Sequence, residues 1–301
     1  MTFASTSKKQ IITLAMLLTA PICSFAFYFP DILFNGFYAG STIGGSFLTA
    51  RENISSDNQV YFPLAPGPAS YTTSLPEQTY AKIGHSAAIG AIFAGAGITW
   101  KDAYLGTEIF ANYSNYQMAY AENIARSLTT VLSPVTEAYS LDVNLQSSPR
   151  LNPFQYGIDL RPGYFVKPKL LVFTRFGYVR AQIKQNDNIQ VTVNYSNAST
   201  NDTFIKNYAV TTSHATGGFR VGAGFEYILN EDWSIRADYI YTSYGSLRSN
   251  QSGSDNISSP AYFGNGTLTT NNIIYLNSLA ANAVNIGISY YFTAYNKEYG
   301  F

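Results

Sequence analysis

The stretch that most constrains this chain is Val284–Phe292, Val-Asn-Ile-Gly-Ile-Ser-Tyr-Tyr-Phe. In an extended backbone Val284, Ile286, Ile288, Tyr290 and Phe292 share one face, and Asn285, Gly287, Ser289 and Tyr291 share the other. A period of two marks a strand whose faces meet different surroundings. The pattern recurs along the chain, and no amphipathic helix is available to cover the apolar faces. Lipid can solvate so much outward apolar surface. It does so only if every backbone group is paired within the sheet, so the strands must close into a barrel. Val284–Phe292 then reads as the strand that closes the barrel against the first one.

Eight segments fit that scheme: 36–51, 86–100, 103–116, 154–165, 170–184, 217–228, 233–244 and 284–292. In the fourth, Phe154, Tyr156, Ile158, Leu160 and Tyr164 alternate with Gln155, Gly157, Asp159, Arg161 and Gly163. The second is rich in Gly and Ala, and its register is weakly specified. The connections alternate. Tight turns at Lys101, Lys167 and Asn230 separate four long loops, Glu52–Thr79, Ala121–Pro153, Gln185–Ala215 and Ser249–Ala281. Short turns on one side and long loops on the other are the mark of an outer-membrane barrel. Trp100 and Trp233 sit beside tight turns, where an interfacial aromatic girdle belongs. Only 12% of residues are charged, whereas 16% are aromatic, which suits a surface that meets lipid.

Two sets of residues carry a resemblance. Asn285, Gly287, Tyr290 and Phe292 resemble the C-terminal signal of bacterial outer-membrane barrels, and Asn35-Gly36-Phe37-Tyr38-Ala39-Gly40 resembles the opening strand of the small ones. The chain is thus similar to the eight-stranded family that includes the transmembrane domain of outer membrane protein A and opacity-type surface antigens. The resemblance implies an all-β, eight-stranded antiparallel transmembrane barrel in the outer membrane of a Gram-negative bacterium. It further implies lipid and lipopolysaccharide as surroundings, and reading of the last strand by the barrel-insertion machinery. A host or surface ligand would meet the loops. The family usually ends at its final aromatic, whereas this chain runs on through Thr293–Phe301. The barrel could therefore end at Phe292 or at Phe301.

The expected organisation is a signal peptide at 1–26, a lead-in at 27–35, the barrel at 36–292 and a short tail at 293–301. Lys8 and Lys9 give the positive region, Ile11–Leu18 the apolar one, and Ser24-Phe25-Ala26 the cleavage site. Removal leaves 16 basic against 18 acidic side chains, which gives no hint of nucleic-acid binding. Cys23, the single cysteine, leaves with the signal. With nine residues after Phe292, no periplasmic binding domain is expected.

The inward faces bring together Glu108, Asp159, Glu226 and Asp238 with Arg161, Arg175, Arg220 and Arg236. Charges in a low-dielectric lumen must be paired. They read either as a salt-bridge plug in a barrel too narrow to conduct or as an ion path or catalytic cluster, and the plug is preferred. Arg220 and Arg236 are expected to be structural. No enzyme is expected. His85-Ser86 and His214-Ala215-Thr216 lack the His-x-Ser spacing of barrel deacylases, and a nucleophile needs a base beside it. Two histidines make a weak metal case, and no phosphate loop or cofactor motif is present. Two functions remain: a surface-exposed recognition or structural protein (an adhesin or antigen), and a small diffusion porin. Finally, Ile189–Tyr195 alternates beyond the fifth strand and can pair with Phe204–Thr211 across a turn at Ser196–Thr203, with Thr136–Leu145 standing beside the fourth strand. The strands are expected to continue past the bilayer as a raised sheet.

Overall fold

A computed structural model describes residues 34–63, 70–132, 135–196, 201–257 and 266–292. The chain divides into two compact units, Met1–Phe34 and Asn35–Phe301. All the described strands belong to the second. The expected signal peptide, most of the lead-in, the tail Thr293–Phe301 and residues 197–200 of the expected turn lie outside the described residues.

Eleven strands are described: β1 (Gly36–Pro63), β2 (Ser70–Trp100), β3 (Ala103–Ser114), β4 (Tyr120–Leu132), β5 (Val135–Leu151), β6 (Phe154–Lys167), β7 (Leu170–Ser196), β8 (Asn201–Ile228), β9 (Trp233–Tyr244), β10 (Leu247–Ile257) and β11 (Gly266–Phe292). Eight close a ring in the order β1-β2-β3-β6-β7-β8-β9-β11, and β11 pairs back to β1. Every pairing is antiparallel, and Phe37↔Phe292 to Thr49↔Ala280 closes the ladder. Phe37, Ile43, Ile109, Phe154, Ile158, Phe219, Val284, Ile286 and Phe292 all point out and are exposed. In β2, Ile92, Ile98 and Trp100 face out while Phe93 is buried, which fixes the register that the Gly/Ala-rich sequence leaves loose. Trp233 meets Tyr290, which in turn meets Phe292, with ring centroids 5.0 and 5.1 Å apart.

The three tight turns stand where the sequence puts them. Lys101 takes a left-handed conformation (φ 55°) between β2 and β3. At Asn230 the side chain closes the turn, its Oδ1 accepting from the Asp232 and Trp233 amides at 3.1 and 2.8 Å.

The raised pairing expected of 189–195 with 204–211 is present, whereas the connections 52–79 and 249–281, expected as loops, differ from the expectation. Where described, they are mostly strand. β1 and β2 stay paired from Gly36↔Gly97 to Pro63↔Ser70, and β7 and β8 from Leu170↔Tyr227 to Ser196↔Asn201. The outer halves are rich in Ser, Thr and Asn, and that composition reads as loop although Thr and the interleaved Ile and Val suit a strand. β11 carries the second reason. Thr49 pairs with Ala280 but Arg51 with Asn277, so β11 has one residue extra there, and Ser278 has φ 53°. Such a bulge shifts the alternation by one. Below it Leu279, Ala281, Ala283 and Asn285 are buried; above it Leu276, Ile274, Asn272 and Thr270 are. A single period-two frame fails across that point.

Three of the eight lines of strand are interrupted: between β3 and β4, between β5 and β6 at Asn152-Pro153, and between β9 and β10 at Gly245-Ser246. Beyond the breaks the pairing changes. Among the described residues β4 pairs only with β5, and β10 only with β11. The closed ring therefore gives way to two four-stranded sheets, β10-β11-β1-β2 and β4-β5-β7-β8. Ile54, Leu268 and Ile274 of the first pack against Val143, Leu145, Ile189, Val191 and Val193 of the second. The head is a small sandwich with its own apolar core. Thr136–Leu145 lies in β5 and pairs with β4 and β7.

Candidate functional site: the barrel interior

All eight charged residues expected in the lumen are buried there. Alternation on β3, β6, β7, β8 and β9 turns them inward, and the register brings their levels together: Glu108 lies opposite Asp159, Gly177 opposite both Asp159 and Arg220, and Glu226 opposite Arg236. Glu108 is the hub. It accepts from Arg236 at 2.8 Å, Arg175 at 3.0 Å and Arg161 at 3.2 Å. Arg175 also donates to Asp159 at 2.7 Å and to Asp238 at 2.9 Å. Arg161 reaches Glu226 at 2.6 Å. Four acids and four arginines form one network across five strands.

Arg220 departs from the expectation. Its ion pair with Asp159 is long, 3.7 Å, and its guanidinium instead stacks on Phe110 at 3.8 Å. Asp159 is already held by Arg175. The aromatics of this layer were not among the expected site residues. Arg236 lies 3.3 Å over Phe93 and Arg161 4.0 Å over Phe173. These contacts cover guanidinium faces that no carboxylate reaches. Tyr291 and Ser234 donate to Glu226, and Asn285 donates to Asp238 at 2.9 Å. A sequence signal for the aromatics exists in the glycines paired with them on the neighbouring strands. A Cβ on Gly157 would come within 2.7 Å of Phe110, and one on Gly224 within 2.8 Å of Phe173.

Of the insertion-signal residues, Asn285 is buried, Tyr290 is half-buried in the aromatic cluster, and Phe292 is exposed. Gly287 leaves room for Thr42, whose Cγ2 would lie 2.5 Å from an added Cβ. His85 is half-buried on β2, its Nδ1 without a partner, and His214 is exposed on β8.

Above the charged layer the lumen changes character twice. Tyr244 donates to Gln155 at 2.6 Å, and Gln155 donates to Ser114 at 2.9 Å. An apolar layer follows, with Leu48, Leu151, Ile183, Leu247 and Leu279 all buried. Then comes a second polar layer. Ser147 donates to Asp187 at 2.8 Å, and the Gln185 amide faces Asp187 at 3.1 Å and Glu52 at 3.5 Å. Gly44 is level with Ser114, the end of β3, through Ile89; Glu52 stands eight residues further along β1, beyond the membrane-spanning part. Burial between apolar layers pushes the Glu52 carboxyl up to about 7 and raises Asp187 as well.

A closed antiparallel ring with an apolar outer band, aromatic girdles and a polar packed lumen defines an integral outer-membrane β-barrel. The chain belongs to the outer membrane protein beta-barrel domain family, whose model matches residues 12–292. The protein resides in the outer membrane. No curated protein matches it. Among solved structures it is similar to OprG from Pseudomonas aeruginosa (12% identity, 87% of this chain and all of that one, TM-score 0.33). It is also similar to Ail, the attachment invasion locus protein of Yersinia pestis (9%, 82% and 99%, TM-score 0.26). A third is Neisserial surface protein A (8%, 82% and 97%, TM-score 0.27). The assignment rests on the family match and on the closed ladder.

Proposed function

We propose that this is a non-enzymatic display barrel whose plugged transmembrane part carries a folded head for recognition at the cell surface. One observation carries the reading. The lumen holds a neutral, mutually paired set of buried ions, and the space above it along the same strands is filled by an apolar layer and then by a sandwich core. A conducting pore needs a wetted path of weak sites. The stacked apolar layers argue against one, and they are what a rigid pedestal needs. The recognising parts would be the sandwich surface and its strand edges. Among the described residues, β4 and β10 each pair on one side only, so their other edges offer backbone groups to which a partner could add a strand. Segment 1–26 as a cleaved signal, and Asn285, Gly287, Tyr290 and Phe292 as the signal for the insertion machinery, belong to the same reading. So do lipid and lipopolysaccharide around the outward band.

Planar-bilayer recording of the refolded protein tests it. A silent bilayer at high salt is expected. Stable ohmic steps would instead support the second reading, a small diffusion porin.

A further inference from the structure

The second polar layer is built unlike the first. In the lumen below, each carboxylate meets an arginine. Here two buried carboxylates, Glu52 and Asp187, face each other with no cation between them among the described residues. The groups acting on Glu52 are Ser147 and Asp187, and those acting on Asp187 are Ser147, Gln185 and Ser249. The surrounding strands do carry cations, but Arg51, Arg150, Lys184 and Arg248 all point outward and are exposed. Each is next in sequence to an inward-pointing position, so the alternation itself keeps them out.

Charge is not the only thing left open. Gln185 and Glu52 are both 0% exposed, yet Gln185 Oε1 and Glu52 Oε2 accept no hydrogen bond from the protein. The Gln185 amide nitrogen faces the acids, 3.1 Å from Asp187 and 3.5 Å from Glu52, so its oxygen points away from them; a half-turn of the amide would put that oxygen among the carboxylates instead. A proton shared between Glu52 and Asp187 would remove only one of the two negative charges, and Glu52 Oε2 and Asp187 Oδ2 both lack a hydrogen-bond donor. A metal cation answers both needs. The donors are all hard oxygens from four strands: two carboxylates, one amide carbonyl, and the hydroxyls of Ser147 and Ser249. Ser249 is itself held by Thr212 at 3.0 Å. Five or more oxygens with flexible carboxylates suit calcium better than magnesium, which keeps its waters.

We propose that Glu52, Asp187, Gln185 and Ser147 form a divalent-cation site of the calcium class that ties β1 to β5 and β7 at the base of the head. The ion would join the two sheets where the closed ring opens. Because the site is enclosed, loading would accompany folding of the head.

The test uses the chain refolded from urea into non-ionic micelles free of lipopolysaccharide, so that no lipid or detergent phosphate competes. Refolding with Tb3+ should give tyrosine-sensitised luminescence at one ion per chain, displaced by Ca2+. Glu52→Gln and Asp187→Asn should each weaken Tb3+ binding ten-fold or more while leaving the heat-dependent gel shift of the closed barrel intact. Should either variant fail to fold, wild-type protein still decides, since Ca2+ should raise its unfolding temperature over EGTA at pH 8. Lack of saturable luminescence, binding untouched by both substitutions, or equal unfolding temperatures in Ca2+ and EGTA would each overturn the site. A stability that follows pH alone and ignores Ca2+ would mean a shared proton, and would overturn it too.

Discussion

Arg161 and Arg220 look alike in the sequence, each an inward arginine between glycine- and aromatic-rich neighbours. Their surroundings separate them. Arg161 bridges Glu108 and Glu226 at 3.2 and 2.6 Å with both acids fully buried, whereas Arg220 makes one 3.7 Å contact with an acid that Arg175 already satisfies. Removing one partner of a buried pair strands the other, at a cost of about 3–5 kcal/mol. Arg161→Ala should show that loss in denaturant unfolding, and Arg220→Ala a clearly smaller one; equal losses would mean that the network does not discriminate. Glu52 sets a pH dependence of opposite sign to that of an ordinary ion-paired acid. Its folded-state value, about 7, lies above the ordinary 4.5, so the folded chain binds the proton more tightly than the unfolded one. In EGTA, stability should therefore be greatest at or below about pH 4.5 and fall as pH rises through 7. The groups that face it are Asp187 from β7, also raised, and Ser147 from β5, with Tyr120 of β4 nearby. Glu52→Gln should flatten that part of the profile in thermal unfolding monitored from pH 4 to 8.

At the level of elements, the bulge at Ser278 deserves a direct test because it sets which residues of the outer β11 face the core. Deleting Ser278 would force one frame across the strand and turn Leu276, Ile274 and Leu268 to solvent. The head should then lose protection while the transmembrane ring survives. Proteolysis on intact cells reads this out. In the wild-type protein, cleavage in the β7–β8 arm should be confined to the tip between Ser196 and Asn201, since the ladder runs unbroken to Ser196↔Asn201. In the deletion variant, cuts should spread down β11 and β10. Cleavage throughout Gln190–Val210 of the wild type would reject the raised arm. The seams between the sheets are lighter. Lys206 and Asp255 meet at 2.7 Å across the β8–β10 seam, but Lys206 is 40% exposed, and such pairs contribute little.

For the whole molecule, closure is the source of its resistance. A ring with no unpaired edge in the membrane gives detergent nowhere to start unzipping. The protein should fractionate with the outer membrane and run at different gel positions before and after heating. Identical mobility would count against the closed ring.

The sequence by itself determined the phase of every membrane strand but the Gly/Ala-rich β2, the tight turns, and the identity of the eight charged side chains that go inside. Alternation and turn chemistry are local, so they can be read without knowing any partner. It could also suggest that 189–195 and 204–211 form a raised pair, because both halves of that hairpin are near in sequence. What only the tertiary structure decided is non-local. Which arginine serves which acid depends on the stagger between strands far apart in the chain, as Glu108 and Arg236 are. The conversion of loops into a two-sheet head depends on pairings such as Ile54↔Ile274, and on a bulge that breaks the period just where the sequence turns polar. The Glu52–Asp187 pair was out of reach for both reasons. Each acid sits in a segment whose Ser- and Asn-rich composition reads as loop, and calcium patterns legible in a sequence place their oxygen ligands within one short loop, whereas this site would be assembled from strands that meet only once the barrel has closed.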